Sequence, residues 1–180
     1  MARTGLFVEL GGGLRPHPRA SIVIDLHHPK GCEPQDVAST PWPIGDSEVE
    51  EIFASHLLEH IPKGQPLIDV FNEAWRVLKP GGMFTFMLPL VGHTDPITGK
   101  GILTEGWWPY ADPTHVGYWW FPESLYYFTG QNIQPGADYG INKWQPIQFI
   151  NPWDVNLDLD GNSFWSVRFG WEGIARLVKP

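Results

Sequence analysis

This 180-residue sequence has a single cysteine, fewer basic than acidic side chains and no long apolar run. Cys32 is its only cysteine, which excludes an internal disulfide or a cysteine-built zinc site and is typical of a reducing compartment. The chain has 12 Lys and Arg, 20 Asp and Glu, and a net charge of −8. This charge disfavours nucleic acid as a partner, because nucleic-acid binding relies on basic residues that neutralise phosphates. No apolar run reaches the length of a membrane span, so we expect no membrane association.

The remaining composition is that of one globular domain over residues 1–180. Hydrophobic residues make up 42% of the chain and charged residues 18%, which suffices for one substantial core but is short for two domains. Residues 1–4 lead directly into an apolar strand and leave no room for the apolar core of a signal peptide. We therefore expect a soluble, cytoplasmic protein.

The first ordered stretch is an apolar strand over residues 6–10 that runs into three consecutive glycines, residues 11–13. Such a strand is typical of a parallel sheet buried on both faces, and it carries one acid, Glu9, near its carboxyl end. A second apolar run over residues 21–24 ends at Asp25. Ligands of open α/β sheets bind beyond the carboxyl ends of the strands, where glycines let the backbone approach them closely.

The glycine turn has three alternative interpretations at this point. A dinucleotide fingerprint would need a glycine where Pro16 stands and an acid later than Asp25. A phosphate loop would need Gly-Lys-Ser/Thr where the chain has Leu14, Arg15 and Pro16. A purely structural turn with an acid nearby remains open, since isolated glycine motifs are weak signals.

The segment between the first two strands is too short and too rich in proline for a crossover helix, so the first helix should be vestigial. His27 and His28 are adjacent, and no third ligand has helpful spacing, so we assign no metal site there. Residues 36–38 are a candidate third strand, which Pro41, Trp42 and Pro43 follow as a rigid bend.

A fourth strand, a helix and a fifth strand complete the first half. The fourth strand covers residues 49–54, and residues 55–60 form the turn at its carboxyl end. Pro66 begins a helix, whose end is marked by Lys79, Pro80 and glycines. Its apolar face comprises Leu67, Phe71, Ala74, Trp75 and Leu78. The fifth strand covers residues 83–88.

Taken in order, these segments resemble class I S-adenosylmethionine-dependent methyltransferases of a small type with a shortened first helix. The matching segments lie at residues 8–13, Asp25, residues 36–43, residues 55–60 and residues 73–82. The resemblance implies a three-layer, Rossmann-like α/β fold with a mostly parallel sheet and a C-terminal antiparallel strand pair. It also implies a cofactor-binding half over residues 1–89 and an acceptor-side lid with C-terminal strands over residues 90–180.

The resemblance further implies roles for named positions toward S-adenosylmethionine. Asp25 would accept hydrogen bonds from both ribose hydroxyls, and Asp36 and the Val37 N–H would bind adenine. Gly11 and Gly13 would let the main chain approach the methionine portion. Glu9 would orient that portion directly or through water, with His56 beneath it. A turn-capping role for Asp25 and Asp36 is the alternative.

The acceptor side falls in the long polar and aromatic segment 91–118, since long loops in compact domains are usually functional. A hydroxyl or amine acceptor must lose a proton, and a histidine is the natural base. We predict that His115 is the base or an acceptor-orienting group and that Asp112 is its partner. His93 and Tyr110 are the alternatives.

The C-terminal third is less regular. Residues 122–128 are a candidate helix, and residues 146–150 and 163–178 are candidate strands. Residues 156–161 mimic the start of a calcium loop, but Val167 stands where the bidentate Glu belongs, so Asp160 and Gly161 are interpreted as a hairpin turn.

The expected activity is O- or N-methylation of a small molecule or a sugar, and the oligomeric state is not predicted. Two other classes stay open at this point. One is a nucleotide-dependent oxidoreductase on a related fold. The other is a non-catalytic protein whose aromatic segment, in a chain with 10 tryptophans, binds a ligand or partner.

Overall fold

The computed structural model describes the chain except for a few short segments. The described residues are 5–104, 111–131, 139–151, 153–155, 162–169 and 171–180. They form one mixed sheet with the parallel strands expected from the sequence. No helix in the described residues is long and apolar enough to cross a membrane.

The first half of the sheet is parallel. Its strands are β1 (Leu6–Leu10), β2 (Ile22–Ile24), β3 (Val49–Ser55) and the long β4 (Leu78–Thr94). β1 lies between β2 and β3 and is parallel to both, and β4 adds parallel to β3. The carboxyl ends of β1, β2 and β3 therefore meet at one edge of the sheet, with the glycine turn in the middle.

Helix α1 (Gln65–Val77) connects β3 to β4. A proline stands in its first turn, where no backbone N–H is needed. Its buried side chains face the sheet, and Phe71 packs against Phe84 of β4 with ring centroids 5.4 Å apart. The predicted helix is thus confirmed, although it ends at Val77 because Leu78 already has extended geometry.

The second half adds shorter elements on the far side of β4. They are β5 (Gly101–Leu103), β6 (Trp119–Phe121), α2 (Glu123–Thr129), β7 (Gln148–Phe149), β8 (Phe164–Arg168) and β9 (Glu172–Val178). β9 is antiparallel to β4 and to β8, which confirms the predicted C-terminal antiparallel pair. The central path through the sheet is β2-β1-β3-β4-β9-β8-β7, and β5 and β6 pair with β4.

The two faces of the sheet are covered differently. Successive side chains of a strand point to opposite faces, and on one face Val8 and Leu10 belong to the large core that α1 and α2 cover. Phe71 of α1 stacks on Phe128 of α2 at 3.8 Å, so both helices lie on this face. On the other face, Phe7 packs with Ala20 and Val23.

The shortened first helix is confirmed, because residues 11–21 contain no helix. Its place over Phe7 is taken by irregular chain. The ring of His17 stacks on Phe7 at 4.9 Å, and the Arg19 guanidinium lies 4.9 Å from the same ring centre. The segment therefore closes this face of β1 without a helix.

Two details of the predicted strands are wrong. Residues 36–38 form a turn instead of a third strand, because Asp36 accepts a hydrogen bond from the Ala38 N–H through its side chain at 2.9 Å. Residues 6–88 therefore carry four strands, not five, and the fourth, β4, continues to Thr94. At the other end, β7 is parallel to β8, so residues 148–149 are not part of the antiparallel pair. The predicted hairpin turn at Asp160 and Gly161 lies outside the described residues.

Candidate functional site

The glycine turn after β1 has the backbone geometry that only glycine adopts without strain. Gly11 and Gly13 have φ values of 67° and 53°. The Gly11 N–H donates to the Ile24 carbonyl at 2.9 Å, which fastens the turn to the end of β2. A Cβ on Gly11 would lie 2.7 Å from Leu57 Cδ1, so the turn after β3 packs directly against this glycine.

Asp25 lies at the centre of the crevice between the ends of β1 and β2. Its Oδ2 accepts a hydrogen bond from the Gly13 N–H at 3.0 Å, and its Oδ1 accepts from the His27 and His28 N–H groups at 2.8 Å each. Burial opposes ionisation of Asp25, but these three backbone donors outweigh it and lower the carboxyl pKa. Asp25 is thus a charged group that ties the glycine turn to the chain after β2.

Glu9 points to the face that residues 16–20 cover. Its Oε2 accepts a hydrogen bond from the His17 N–H at 2.5 Å, and its side chain is buried. Burial raises the pKa of Glu9, while the His17 contact lowers it to a smaller extent. In this geometry Glu9 orders the loop behind the glycine turn.

Asp36 and Val37 lie in the turn that replaced the predicted strand. Asp36 is exposed and caps the turn through the Ala38 N–H. Val37 is buried, and its carbonyl accepts a hydrogen bond from Trp42 Nε1 at 3.0 Å. The turn is therefore anchored at Val37, and the Asp36 carboxylate stays open to solvent.

His56 follows β3 with a φ of 51°, and its N–H donates to the Met87 carbonyl at 2.9 Å. Its ring lies between two acids, with Nε2 3.2 Å from Glu172 Oε1 and Nδ1 3.4 Å from Glu59 Oε1. The contact with Glu172, followed by that with Glu59, outweighs burial and raises the pKa of His56 to about 9. His56 is therefore a cation at neutral pH.

A second group of side chains lies beside His56, on the short 3₁₀ turn Leu58–His60 and the segment after residue 111. His115 Nε2 lies 3.7 Å from Asp112 Oδ2 and 4.0 Å from Glu59 Oε1. The rings of His60 and His115 meet edge to face, with centroids 4.9 Å apart. The structure thus brings the predicted pair of His115 and Asp112 together and adds two neighbours from the β3 turn.

One protein family and several solved structures are similar to this chain. The sequence model of the methyltransferase domain family matches residues 25–86. Among solved structures, the Bacillus subtilis YcgJ protein aligns at 18% identity over 70% of this chain and 60% of its own, with a TM-score of 0.50. A chain from the complex of the Haloferax volcanii Trm112 methyltransferase activator with a putative methyltransferase aligns at 14% identity over 100% of this chain and 84% of its own, with a TM-score of 0.54.

Residues 25–86 thus match the methyltransferase domain family, and the two solved structures show a similar fold over a larger part of the chain. A Mesorhizobium loti S-adenosylmethionine-dependent methyltransferase aligns at 18% identity, with 57% of this chain, 59% of that chain and a TM-score of 0.40. The chain therefore spans about 60% of the length of the first two structures that it matches. No curated protein sequence matches it.

Sequence reasoning missed three residues of this candidate site. Glu59 and His60 were treated only as part of a turn, although a His-x-x-Glu-His spacing at residues 56–60 brings His56 and Glu59 onto one side of it. Glu172 had no local signal, because it comes from β9 and meets His56 across 116 positions of sequence.

His93 and Tyr110 are the two alternative bases that the sequence analysis named. His93 lies in β4, where burial lowers its pKa more than the nearby acids Asp95 and Glu123 raise it. Tyr110 lies outside the described residues.

An apolar pocket of about 290 Å³ opens between the start of α1 and α2. Trp119, Tyr127 and Phe128 contribute aromatic walls, and Leu67 and Ile68 close the α1 side. The start of α1 follows the turn Leu58–His60 after only four residues, so the pocket lies at the same end of the sheet as His115. It is a binding volume of the size and chemistry that small organic molecules use.

Proposed function

We propose that this chain transfers the methyl group of S-adenosylmethionine to an oxygen or nitrogen atom of a small molecule or a sugar. The observation that carries the proposal is the junction at the ends of β1 and β2, where the Gly11 N–H binds the Ile24 carbonyl and the Gly13 N–H binds Asp25. The match to the methyltransferase domain family begins at Asp25 and covers residues 25–86. An adenosine bound there would lie at the edge of the sheet where open α/β folds bind their ligands.

Asp25 would bind the two ribose hydroxyls. A carboxylate has about four acceptor positions, and three are used by backbone N–H groups in this structure. One acceptor position therefore remains for a ribose hydroxyl, and the second hydroxyl needs the position that becomes free when the Gly13 N–H turns toward the methionine portion. Asp36, which is exposed, and the Val37 N–H would bind adenine, while Gly11 and Gly13 leave space for the backbone to approach.

Glu9 and His56 would act on the methionine end. Glu9 holds the His17 N–H and so fixes the loop under the glycine turn. His56 is cationic and adjoins Leu57, which packs against Gly11. A cation at this place suits the cofactor carboxylate better than its sulfonium, so we assign His56 to the amino-acid group of the cofactor.

Methyl transfer itself needs few covalent steps. A lone pair of the acceptor atom attacks the methyl carbon, the carbon–sulfur bond breaks, and its electron pair returns to sulfur, which becomes a neutral thioether. The acceptor proton leaves to a base. Holding acceptor and methyl group in line supplies most of the rate, as expected for positioned reactants.

His115 is the acceptor-side group in this proposal, as base or as orienting group, with Asp112 as its partner. It is 12% exposed at its side chain, and its Nε2 lies near two carboxylates. The neighbouring apolar pocket supports a small acceptor with an aromatic or apolar body.

Thermal unfolding tests the cofactor class before any acceptor is known. S-adenosylmethionine at about 100 times its dissociation constant should stabilise the fold by about 2.7 kcal/mol. For a domain of this size that is a rise of roughly 5–10 °C in the melting temperature. Reduced nicotinamide dinucleotide at the same concentration should leave the melting temperature unchanged, and the opposite pattern would favour an oxidoreductase.

A further inference from the structure

Glu59, His60 and His115 form a compact group of potential metal ligands. One ligand atom of each residue lies within 4.8 Å of the other two, in the only such group found among the described residues. Two imidazoles and one carboxylate are the donor set that Zn²⁺ and other first-row divalent ions use in proteins. We propose that these three residues bind a divalent transition-metal ion, with Zn²⁺ as the first candidate.

Glu59 supplies an independent reason for a ligand at this place. Its side chain is 1% exposed, and neither carboxylate oxygen has a hydrogen-bond partner among the described residues. The Oε1 atom lies 3.4 Å from His56 Nδ1 and 4.0 Å from His115 Nε2, and both distances are long for a hydrogen bond. Burying polar oxygens without partners is costly, and a cation at the His115 side would remove that cost.

The backbone holds the two segments of the group together. The Val116 and Gly117 N–H groups both donate to the Glu59 carbonyl, at 2.9 and 2.8 Å. A Cβ on Gly117 would meet the Leu58 carbonyl at 3.3 Å and the Glu59 carbonyl at 3.4 Å, so a larger residue would loosen this contact. The ligands from the β3 turn and from the lid are thus positioned by the fold before any ion binds.

Thr114 and Asp112 support the group from outside. Thr114 Oγ1 lies 3.0 Å from His60 Nδ1 and donates to Asp112 Oδ1 at 2.6 Å. Outer partners of this kind orient a ligating histidine and select its tautomer. The side-chain contacts from Asp112 to Thr114 and from Thr114 to His60 have this arrangement.

Ion binding needs only a small contraction. Ligand atoms about 2.0–2.1 Å from a zinc ion lie roughly 3.0–3.5 Å from one another. The ligand atoms, which lie within 4.8 Å of one another, would therefore approach by about 1–2 Å, with rotation of the exposed His60 ring as one contribution and a shortening of the 4.0 Å between His115 Nε2 and Glu59 Oε1 as the other. Three protein ligands leave a coordination position open, as in catalytic rather than structural zinc sites.

The consequence of the ion for the choice of acceptor rests on the proposed function. An open position beside the acceptor pocket would take an acceptor oxygen, so acceptors with a hydroxyl or carboxylate are favoured over amines. His115 would then act as an acceptor-orienting group through the ion. Ion binding itself requires neither cofactor nor acceptor.

The test uses the metal alone. Protein stripped with a chelator is incubated with Zn²⁺, passed through a desalting column and analysed for zinc by mass spectrometry, and affinity is measured by competition with a chromophoric chelator. We expect one ion per chain. The visible absorption of a Co²⁺-loaded sample should report a coordination sphere of low symmetry with nitrogen and oxygen donors.

Four variants make the test specific. Glu59→Gln keeps the buried shape, and His60→Ala changes an exposed side chain, so both should fold. Each should lower zinc affinity by well over tenfold, and Thr114→Ala should lower it by about 10–100-fold as an outer-partner change. The double variant His27→Ala/His28→Ala removes an exposed histidine pair elsewhere and should keep the full affinity.

The inference is overturned if the wild-type protein retains no more zinc than Glu59→Gln, or if the His27→Ala/His28→Ala variant is the one that loses it. In the first case His56 alone balances the Glu59 charge. A separate titration with S-adenosylmethionine distinguishes the two proposals. A protein that binds the cofactor but does not bind zinc refutes only the metal site. Zinc binding without cofactor binding refutes only the methyltransferase function.

Discussion

The Gly13 N–H donates to Asp25 Oδ2 at 3.0 Å, which joins the glycine turn after β1 to the acid after β2. This hydrogen bond connects the carboxyl ends of two adjacent strands. The acid that we expect to bind the ribose therefore also fixes the conformation of the glycine turn. Asp25 therefore has a structural role and keeps one acceptor position for the ribose in this geometry. Its removal should therefore affect cofactor binding more than any other single acid of the first half.

Asp25→Ala should weaken S-adenosylmethionine binding by tenfold or more. A carboxylate that accepts hydrogen bonds from hydroxyls contributes about 1.5–3 kcal/mol. Titration calorimetry measures the loss, and circular dichroism checks that the fold persists. Asp154→Ala, which removes an exposed acid outside the crevice, is the control. Equal cofactor affinity of Asp25→Ala and wild type would refute the assignment of Asp25.

Gly11→Ala should destabilise the fold more than Gly13→Ala. Both residues have a positive φ, which costs an L residue about 1–2 kcal/mol. Only the Gly11 substitution also meets a neighbour, Leu57 Cδ1 at 2.7 Å, whereas nothing lies within 4 Å of a Cβ on Gly13. Displacing Leu57 adds about 1 kcal/mol. Urea unfolding of the two variants measures this difference, and equal losses would show that Leu57 gives way freely.

Glu73→Ala should lower the free energy of unfolding by about 1.5–3 kcal/mol, because it removes a buried carboxylate that accepts hydrogen bonds from a charged arginine and a backbone N–H. Glu73 is buried and accepts hydrogen bonds from the Trp42 N–H at 2.6 Å and from Arg76 Nε at 2.8 Å. Asp46→Ala is a matched control, since Asp46 pairs with the same arginine but its side chain is 78% exposed. That change should cost less than about 1 kcal/mol. Similar losses for both variants would show that the contacts of Arg76, rather than the burial of Glu73, are responsible for the stabilisation.

His115→Ala should lower turnover by about 10²–10⁴ once an acceptor is known, the range of general acid-base catalysis. Cofactor affinity should not change, because His115 lies on the lid and not in the crevice. The exposed His27 ring offers a control in His27→Ala, which should keep full activity. If His115→Ala remains fully active, the base has to be sought at His93, at Tyr110 or in the acceptor.

Much of the fold was predictable because its strands carry unbroken apolar runs. Residues 6–10 and 83–88 are buried on both faces in the sheet, and their sequence has that character. The helix after Pro66 has the expected apolar face. Residues 36–38 were misassigned because three residues are too few to separate a strand from a turn that an Asp side chain closes.

The site was predictable only in its local parts. His115 and Asp112 are three positions apart, so their contact followed from sequence distance. The pairing of His56 with Glu172 depends on where β9 joins β4, and no short motif encodes that register. The burial of Glu59 likewise depends on tertiary structure, because the segment that carries Val116 and Gly117 packs on the 3₁₀ turn.

Titration calorimetry with S-adenosylmethionine and with S-adenosylhomocysteine, its demethylated product, tests the central claim most directly. The crevice at Gly11, Gly13 and Asp25 predicts saturable binding of both compounds, with one molecule per chain and competition between them. The absence of heat from either compound, in a sample that circular dichroism shows to be folded, would contradict the methyltransferase function.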